Sequence, residues 1–306
     1  MFNLINLKRI KKDLNFIFIN NILLKNIVLK KIKKFILIIG PCSISNIKDF
    51  ILYLKKIKNN FKNIILIIRV YYEKPRTNIG WKGYIYDPYI DESYSINDSI
   101  YIIRRLLLDI SKQYYLGTEC LNFFLINYFI DCISWICIGA RTIQSQIHRE
   151  FCSNLNCVIG IKNDIYGDLN VLKDSLLSIM NKQCFVNFFE KTNFIYSKGN
   201  KYIQFVLRGG KEPNFSKNLI FNNSLIIDCS HSNSLKVSIN QIYVFENILN
   251  QYFLLKNIHG VMFEHYIYNG NQNIKNIKFG LSITDSCLNF KFYFFILKKI
   301  NDLQCF

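Results

Sequence analysis

Eight short runs of aliphatic, largely β-branched residues recur along this chain, separated by longer stretches with helical spacing. That alternation predicts repeated βα units and a parallel sheet. The predicted strands are Phe35–Ile39, Ile64–Val70, Tyr115–Glu119, Trp135–Gly139, Val158–Ile161, Cys184–Phe188, Leu225–Asp228 and Val261–Glu264. A further run, Ile203–Leu207, is read as a hairpin inserted after the sixth strand. Eight such units make an α/β fold of the (β/α)8 TIM-barrel type, which commonly occupies about 250 residues. The chain has 306 residues. The expected organisation is an N-terminal extension over 1–34, packed on the barrel or a partner subunit, and a barrel over 35–306.

The residues that follow these runs are unlike the rest of the chain. They are Gly-Pro-Cys-Ser at 40–43, Tyr-Tyr-Glu-Lys-Pro-Arg-Thr at 71–77, Glu119, Ala-Arg-Thr at 140–142 and Lys162-Asn163. Later come Arg208-Gly209-Gly210-Lys211, Ser230-His231 and Glu264-His265. In a (β/α)8 barrel the C-terminal strand ends converge on one face, where active sites sit. Arg69, Arg76, Arg141 and Arg208 all fall there in a chain whose bases are mostly lysine, and all four prolines lie in or beside these segments.

Composition narrows the function. The formal charge of +18 invites a nucleic-acid reading. Such a protein concentrates Lys and Arg on one stripe with interleaved aromatics. Here the lysines are spread among Ile, Asn, Phe and Tyr, so the excess reads as a global bias that draws anionic substrates. No nucleic-acid partner is expected. The ten cysteines are scattered without a CxxC pair and read as reduced thiols of a cytoplasmic protein. Lys8, Arg9, Lys11, Lys12 and Lys25 interrupt the apolar N-terminus before a bilayer-spanning length, so no membrane partner is expected.

Seven segments together resemble one family. They are IIGPCSI at 38–44, RVYYEKPRTNIGWKG at 69–83, IGARTIQSQIHRE at 138–150, LRGGKEPN at 207–214, SHSNSLK at 230–236, GNQ at 270–272 and SITD at 282–285. In this order they resemble class I 3-deoxy-D-arabino-heptulosonate 7-phosphate (DAHP) synthases of the bacterial and yeast type. The resemblance implies condensation of phosphoenolpyruvate with erythrose 4-phosphate, the first step of aromatic amino-acid biosynthesis. It assigns Arg69, Lys74, Arg141, Lys162 and Arg208 to phosphoenolpyruvate, with Glu119 nearby. Pro75, Arg76, Thr77 and Asp285 fall to erythrose 4-phosphate. Arginine's planar fork suits paired phosphate oxygens.

The resemblance also implies a divalent metal held by Cys42, His231, Glu264 and Asp285. One thiolate, one imidazole and two carboxylates suit Mn, Fe, Co or Zn better than Ca or Mg. Lys74 is the expected proton donor to the nascent alkoxide, and Glu119 the group that orients water. His265 is left out of the metal set, because a strand neighbour of Glu264 points the other way. His148 and His259 are read as structural.

One stretch departs from the pattern. Gly117-Thr118-Glu119-Cys120-Leu121-Asn122 keeps the glutamate and changes its neighbours. In regulated relatives an aromatic amino acid binds near this helix start and residues 155–188, and the N-terminal extension helps form that pocket. Weak or lost feedback inhibition is therefore expected, as is a homodimer or homotetramer. Two alternatives stay open: a sister synthase using arabinose 5-phosphate, and a catalytically silent barrel kept as a binding protein.

Overall fold

The eight apolar runs are hydrophobic at nearly every position because both faces of each strand are covered, as parallel sheets require. The computed structural model describes residues 3–15, 21–59, 61–187, 193–215, 223–251 and 257–303. Helices α1 (Leu7–Asp13) and α2 (Ile22–Val28) precede β1 (Phe35–Gly40), α3 (Ile47–Lys56) and β2 (Ile64–Arg69). Then follow α4 (Ile96–Ser111), β3 (Tyr115–Glu119), β4 (Trp135–Ile138), α5 (Gln146–Ser153), β5 (Val158–Lys162) and α6 (Asn170–Met180). The remainder comprises β6 (Gln183–Asn187), β7 (Asn193–Ser197), β8 (Ile203–Leu207), β9 (Ser224–Asp228), α7 (Asn240–Gln251), β10 (Ile258–Glu264) and α8 (Phe290–Leu303).

Strands β1, β2, β3, β4, β5, β8, β9 and β10 close into a barrel, every neighbouring pair parallel. The expected α/β (β/α)8 TIM barrel is the fold. Side chains alternate across each strand. Phe35, Leu37 and Ile39 of β1 join the outer core under the helices, and Ile36 and Ile38 join the inner one. Trp135 fills much of that interior. A Cβ on Gly160 would lie 2.2 Å from its ring, so only glycine leaves room there. Its indole N–H donates to Gln204 Oε1 at 3.0 Å, and Gln204 donates to Ser224 Oγ at 2.9 Å.

The N-terminal helices belong to this packing. Leu24, Ile27 and Val28 of α2 join the inner cluster with Ile36, Ile65 and Val158. Lys25 and Lys30 reach Asn156 and Asn257, which stand just before β5 and β10, so α2 covers the end where strands begin. Arg104 of α4 donates to Leu14 O at 2.9 Å and pairs with Asp131 at 2.8 Å, tying the end of α1 to the barrel.

One strand assignment is corrected. The sixth barrel strand is β8, not Cys184–Phe188, whose last residue lies outside the described ones. The hairpin β6–β7 is an antiparallel pair placed before that strand rather than after it. Burial separates the two. Every residue of β8 is buried, while Val186, Phe194 and Tyr196 of the hairpin are 55%, 65% and 75% exposed. Gln204 breaks the apolar run of β8 in sequence, yet inside the barrel its amide accepts from Trp135 and donates to Ser224. A second departure is the β3–β4 connection, made by two 3₁₀ turns, Leu125–Tyr128 and Ile130–Cys132, in place of an α-helix.

Candidate active site

Where the strands end, the chain turns from aliphatic to charged, and the charged ends face one another. A cavity of about 250 Å³ there is lined by Arg69, Tyr71, Lys74, Arg76, Glu119, Arg141, Lys162, Arg208, His231, Glu264 and Asp285, among others. Larger grooves of about 980 and 590 Å³ lie along α4, near the starts of β2 and β3 and beside α3. Size does not decide between them. Only the smaller cavity gathers buried titratable groups from many strands, the arrangement that marks a functional site.

Its cations lie in two layers. Deep in the barrel, Arg69 is fully buried, 3.1 Å from Glu264 Oε1, with its guanidinium 4.0 Å over the Tyr71 ring. Lys162 Nζ lies 3.3 Å from Asp228 and 3.9 Å from Glu119. Burial opposes its charge, but Asp228 and Tyr71 outweigh that and hold its pKa above the ordinary value. Arg208 is 8% exposed, and burial lowers its pKa. Its backbone N–H is anchored on Asn163 Oδ1 at 2.9 Å. The rim is open: Arg76, Thr77 and Arg141 are exposed, and Arg141 donates to Thr77 Oγ1 at 3.1 Å. Arg76 donates to Trp81 O, which fixes its loop. Pro75, half-buried, lines the same wall.

The metal-competent groups meet beside these cations. Donor atoms of Cys42, Glu264 and Asp285 lie within 4.8 Å of one another. His231 is set slightly apart, with Nε2 at 3.6 Å from Glu264 Oε1. Lys74 Nζ stands between them, 2.7 Å from Cys42 Sγ and 2.8 Å from Asp285 Oδ2. Burial pushes the Cys42 thiol up to about 12, with Glu264 adding to it. Burial also disfavours the Lys74 ammonium, but Cys42, Glu264 and Asp285 more than offset it, so that its pKa rises. Burial raises the Asp285 pKa, and the nearby Lys74 ammonium overturns this and holds it below the usual carboxylate range. The donor set fits a divalent ion of intermediate softness, and the structure itself selects no metal among the candidates.

Several groups that serve this site were not singled out from the sequence. Asp228 ends β9 fully buried, and the His231 imidazole and Lys162 hold its pKa far below normal against the effect of burial. Ser230 Oγ donates to Asp228 Oδ1 at 2.5 Å, which spends its only hydrogen. His231 Nδ1, 2.8 Å from the same hydroxyl, must therefore be the donor between them. Nδ1 also lies 2.9 Å from Asp228 Oδ2, so Asp228 and Ser230 hold the ring by that nitrogen while Nε2 faces Glu264. The backbone here is strained, since His231, Leu235 and Lys236 all have φ between 54° and 60°. The Glu119 carboxylate packs directly against Gly139, where a Cβ would fall 2.0 Å from Oε1 and displace it.

Glu73 is a second such group. It accepts from the Asn122 backbone N–H at 3.3 Å and from Tyr86 at 3.2 Å, so it ties the loop after β2 to that after β3. Burial raises its pKa to about 7. The signals were an acid closing the LIID run and another inside YYEK. The other histidines face away. His265 lies between Tyr53 and Asn289 O, with its pKa lowered to about 3 by burial. His148 is held by Ser145 and Leu121 O, and His259 by Asn257 O.

The sequence model of the DAHP synthetase I family matches residues 20–293. A curated relative from Haemophilus influenzae, phospho-2-dehydro-3-deoxyheptonate aldolase, is 36% identical over 90% of this chain and 83% of its own length. The Phe-sensitive phospho-2-dehydro-3-deoxyheptonate aldolase of Escherichia coli is also 36% identical, over 84% of this chain and 80% of its own. A solved structure of phospho-2-dehydro-3-deoxyheptonate aldolase from Francisella tularensis superposes with a TM-score of 0.93 at 34% identity, covering 99% of this chain and 97% of that one.

Proposed function

The chain belongs to the DAHP synthetase I family, and on that premise we propose how its site condenses phosphoenolpyruvate with erythrose 4-phosphate and water to give DAHP and phosphate. The observation that carries this reading is the meeting, in one cavity, of deep cations, rim cations and a thiol-carboxylate cluster.

In this reading the deep cations Arg69, Lys162 and Arg208, with Arg141 at the rim, hold phosphoenolpyruvate. Pro75, Arg76 and Thr77 hold the phosphate of erythrose 4-phosphate, and Asp285 faces its sugar. Cys42, His231, Glu264 and Asp285 hold a divalent ion, of which Mn, Fe, Co and Zn are the candidates. When bound, that ion supplies Lewis acidity toward the aldehyde oxygen. Fixing both substrates converts their encounter into an intramolecular event. The enol carbon of phosphoenolpyruvate forms the new carbon–carbon bond to the aldehyde carbon as the enol double bond opens, the aldehyde π pair moves onto oxygen and the phosphate-bearing second carbon becomes cationic. Lys74, 2.8 Å from Asp285, gives a proton to the resulting alkoxide. Glu119, fixed against Gly139 and near Lys162, orients the water whose oxygen bonds to the second carbon. The hemiketal phosphate then breaks its carbon–oxygen bond and releases inorganic phosphate.

Feedback inhibition by aromatic amino acids is weak or lost in this reading, because Thr118, Cys120 and Asn122 replace the residues the regulated pattern has there. Strong inhibition by phenylalanine, tyrosine or tryptophan at sub-millimolar levels would refute that. The chain is read as a barrel with an N-terminal extension, assembling as a homodimer or homotetramer. The exposed face of Val186, Phe194 and Tyr196 supports an assembly, and light scattering tests it. Among the described residues no helix is long and apolar enough to cross a membrane.

The test of the activity is phosphate release from phosphoenolpyruvate with erythrose 4-phosphate and, separately, with arabinose 5-phosphate. Turnover with the four-carbon sugar alone is the expected result. Turnover with arabinose 5-phosphate alone would move the chain to a sister activity, and turnover with neither to a silent barrel.

A further inference from the structure

We propose that the Tyr71 hydroxyl is a further substrate-binding group, donating a hydrogen bond to an anionic oxygen of phosphoenolpyruvate beside Arg69 and Lys162. The proposal rests on the reading of this cavity as the phosphoenolpyruvate site.

Tyr71 is the central residue of a tight turn after β2, in which the Tyr72 N–H donates to Val70 O at 3.2 Å, and the two tyrosines go to different places. Tyr72 packs edge-on against Phe129 with ring centres 4.8 Å apart, in the outer core. Tyr71 lines the charged cavity instead. It is 3% exposed, and its hydroxyl finds no hydrogen-bond partner among the described residues. Buried polar groups are nearly always paired, and an unpaired one is a stability cost that asks for an explanation. Tyr266 also buries a hydroxyl with no partner among the described residues, but it does not line this cavity.

The ring is held in place, since Arg69 lies 4.0 Å over its centre. A hydroxyl on a fixed ring is aimed before any ligand arrives, which lowers the cost of binding. Burial pushes its pKa up, against the pull of Lys162 and Arg69. The phenol therefore stays protonated and acts as a donor. Two buried cations and one neutral donor around the same space suit an anionic oxygen. A hydroxyl kept unpaired for a ligand also predicts an unusual pair of effects: its removal weakens binding and leaves the free protein no less stable.

The test is Tyr71→Phe, with phosphoenolpyruvate binding measured by calorimetry and thermal unfolding measured without substrate. Binding is expected to weaken roughly 10- to 100-fold, as for loss of a hydrogen bond to a charged group, with an unchanged or higher Tm. Tyr71→Leu, which also removes the ring beneath Arg69, is expected to weaken it further. Binding by Tyr71→Phe within about twofold of the parent would overturn the proposal. So would a lowered Tm, which would mean the hydroxyl serves the fold. The two readings fail separately: a parent that binds phosphoenolpyruvate without turning it over refutes the activity and still lets the hydroxyl be weighed. A parent that does not bind it refutes both.

Discussion

At one end of the barrel, Leu24, Ile27 and Val28 of α2 close over Ile36, Ile65 and Val158, in a cluster that is apolar and mostly aliphatic. At the other, Arg69, Lys162, Asp228 and Glu264 are each at most 2% exposed. Burying ions this way seldom adds stability over well-packed apolar residues, because desolvation consumes the Coulombic gain. The packing of α2 on the lower end can therefore be explained by volume, and many aliphatic residues would serve at those positions. The upper end cannot. Its charges persist in a chain whose other positions lean toward Ile, Asn and Lys, and a ligand is the physical reason for keeping them. The difference teaches that stability and chemistry are separated along the barrel axis, and it can be attacked from either end.

The largest expected effect is at the top. Lys74→Met should lower kcat roughly a hundred- to ten-thousand-fold, the usual contribution of a general acid, and lower Tm as well, because Asp285 loses its counter-charge. Steady-state phosphate release reads it, and intact turnover would remove Lys74 from the acid role. The mirror experiment is Ile27→Ala. It should cost about 2–5 kcal/mol in urea unfolding, as for other fully buried truncations, while KM and kcat stay as they were. A change in KM would show that the two ends are coupled.

Glu73 sharpens the comparison through pH. Burial raises its carboxyl from 4.5 to about 7, partly offset by its bonds to Asn122 and Tyr86. An acid that holds its proton more tightly when folded costs stability as it ionises, so the penalty grows above pH 4.5 and is complete beyond about pH 7. Relative to Glu73→Gln, the parent should lose about 2–3 kcal/mol between pH 5 and 8 in urea unfolding. A pH-independent difference would mean that Glu73 is solvated. The smallest effect concerns Asp228→Asn, which disturbs the Ser230–His231 arrangement. Metal affinity in a chelator competition should fall about 10- to 100-fold. An unchanged affinity would take Asp228 out of the support of the metal group.

The barrel was legible because both faces of its strands are buried, which writes continuous aliphatic runs into the sequence, and because Arg69, Glu119 and Lys162 close three of those runs. Strand β8 was legible as the run Ile203–Leu207 but read as an inserted hairpin, for a related reason. Gln204 interrupts its run, and the partners that satisfy it, Trp135 and Ser224, come from other strands. The hairpin residues Cys184, Phe185 and Val186 look equally β-prone, and nothing local says that Val186 faces solvent. Asp228, Glu73 and Tyr71 escaped notice because each matters through a neighbour distant in sequence or a strained turn. Periodicity reports which face a residue occupies and not what stands opposite it.

The most direct test of a metal-dependent condensation at the charged end is phosphate release from phosphoenolpyruvate and erythrose 4-phosphate by chelator-stripped protein, before and after manganese is returned, with bound metal quantified in the same samples. The account predicts that turnover disappears on stripping and returns in proportion to the metal regained. Full turnover by metal-free protein, or none by a folded and metal-loaded one, would contradict it.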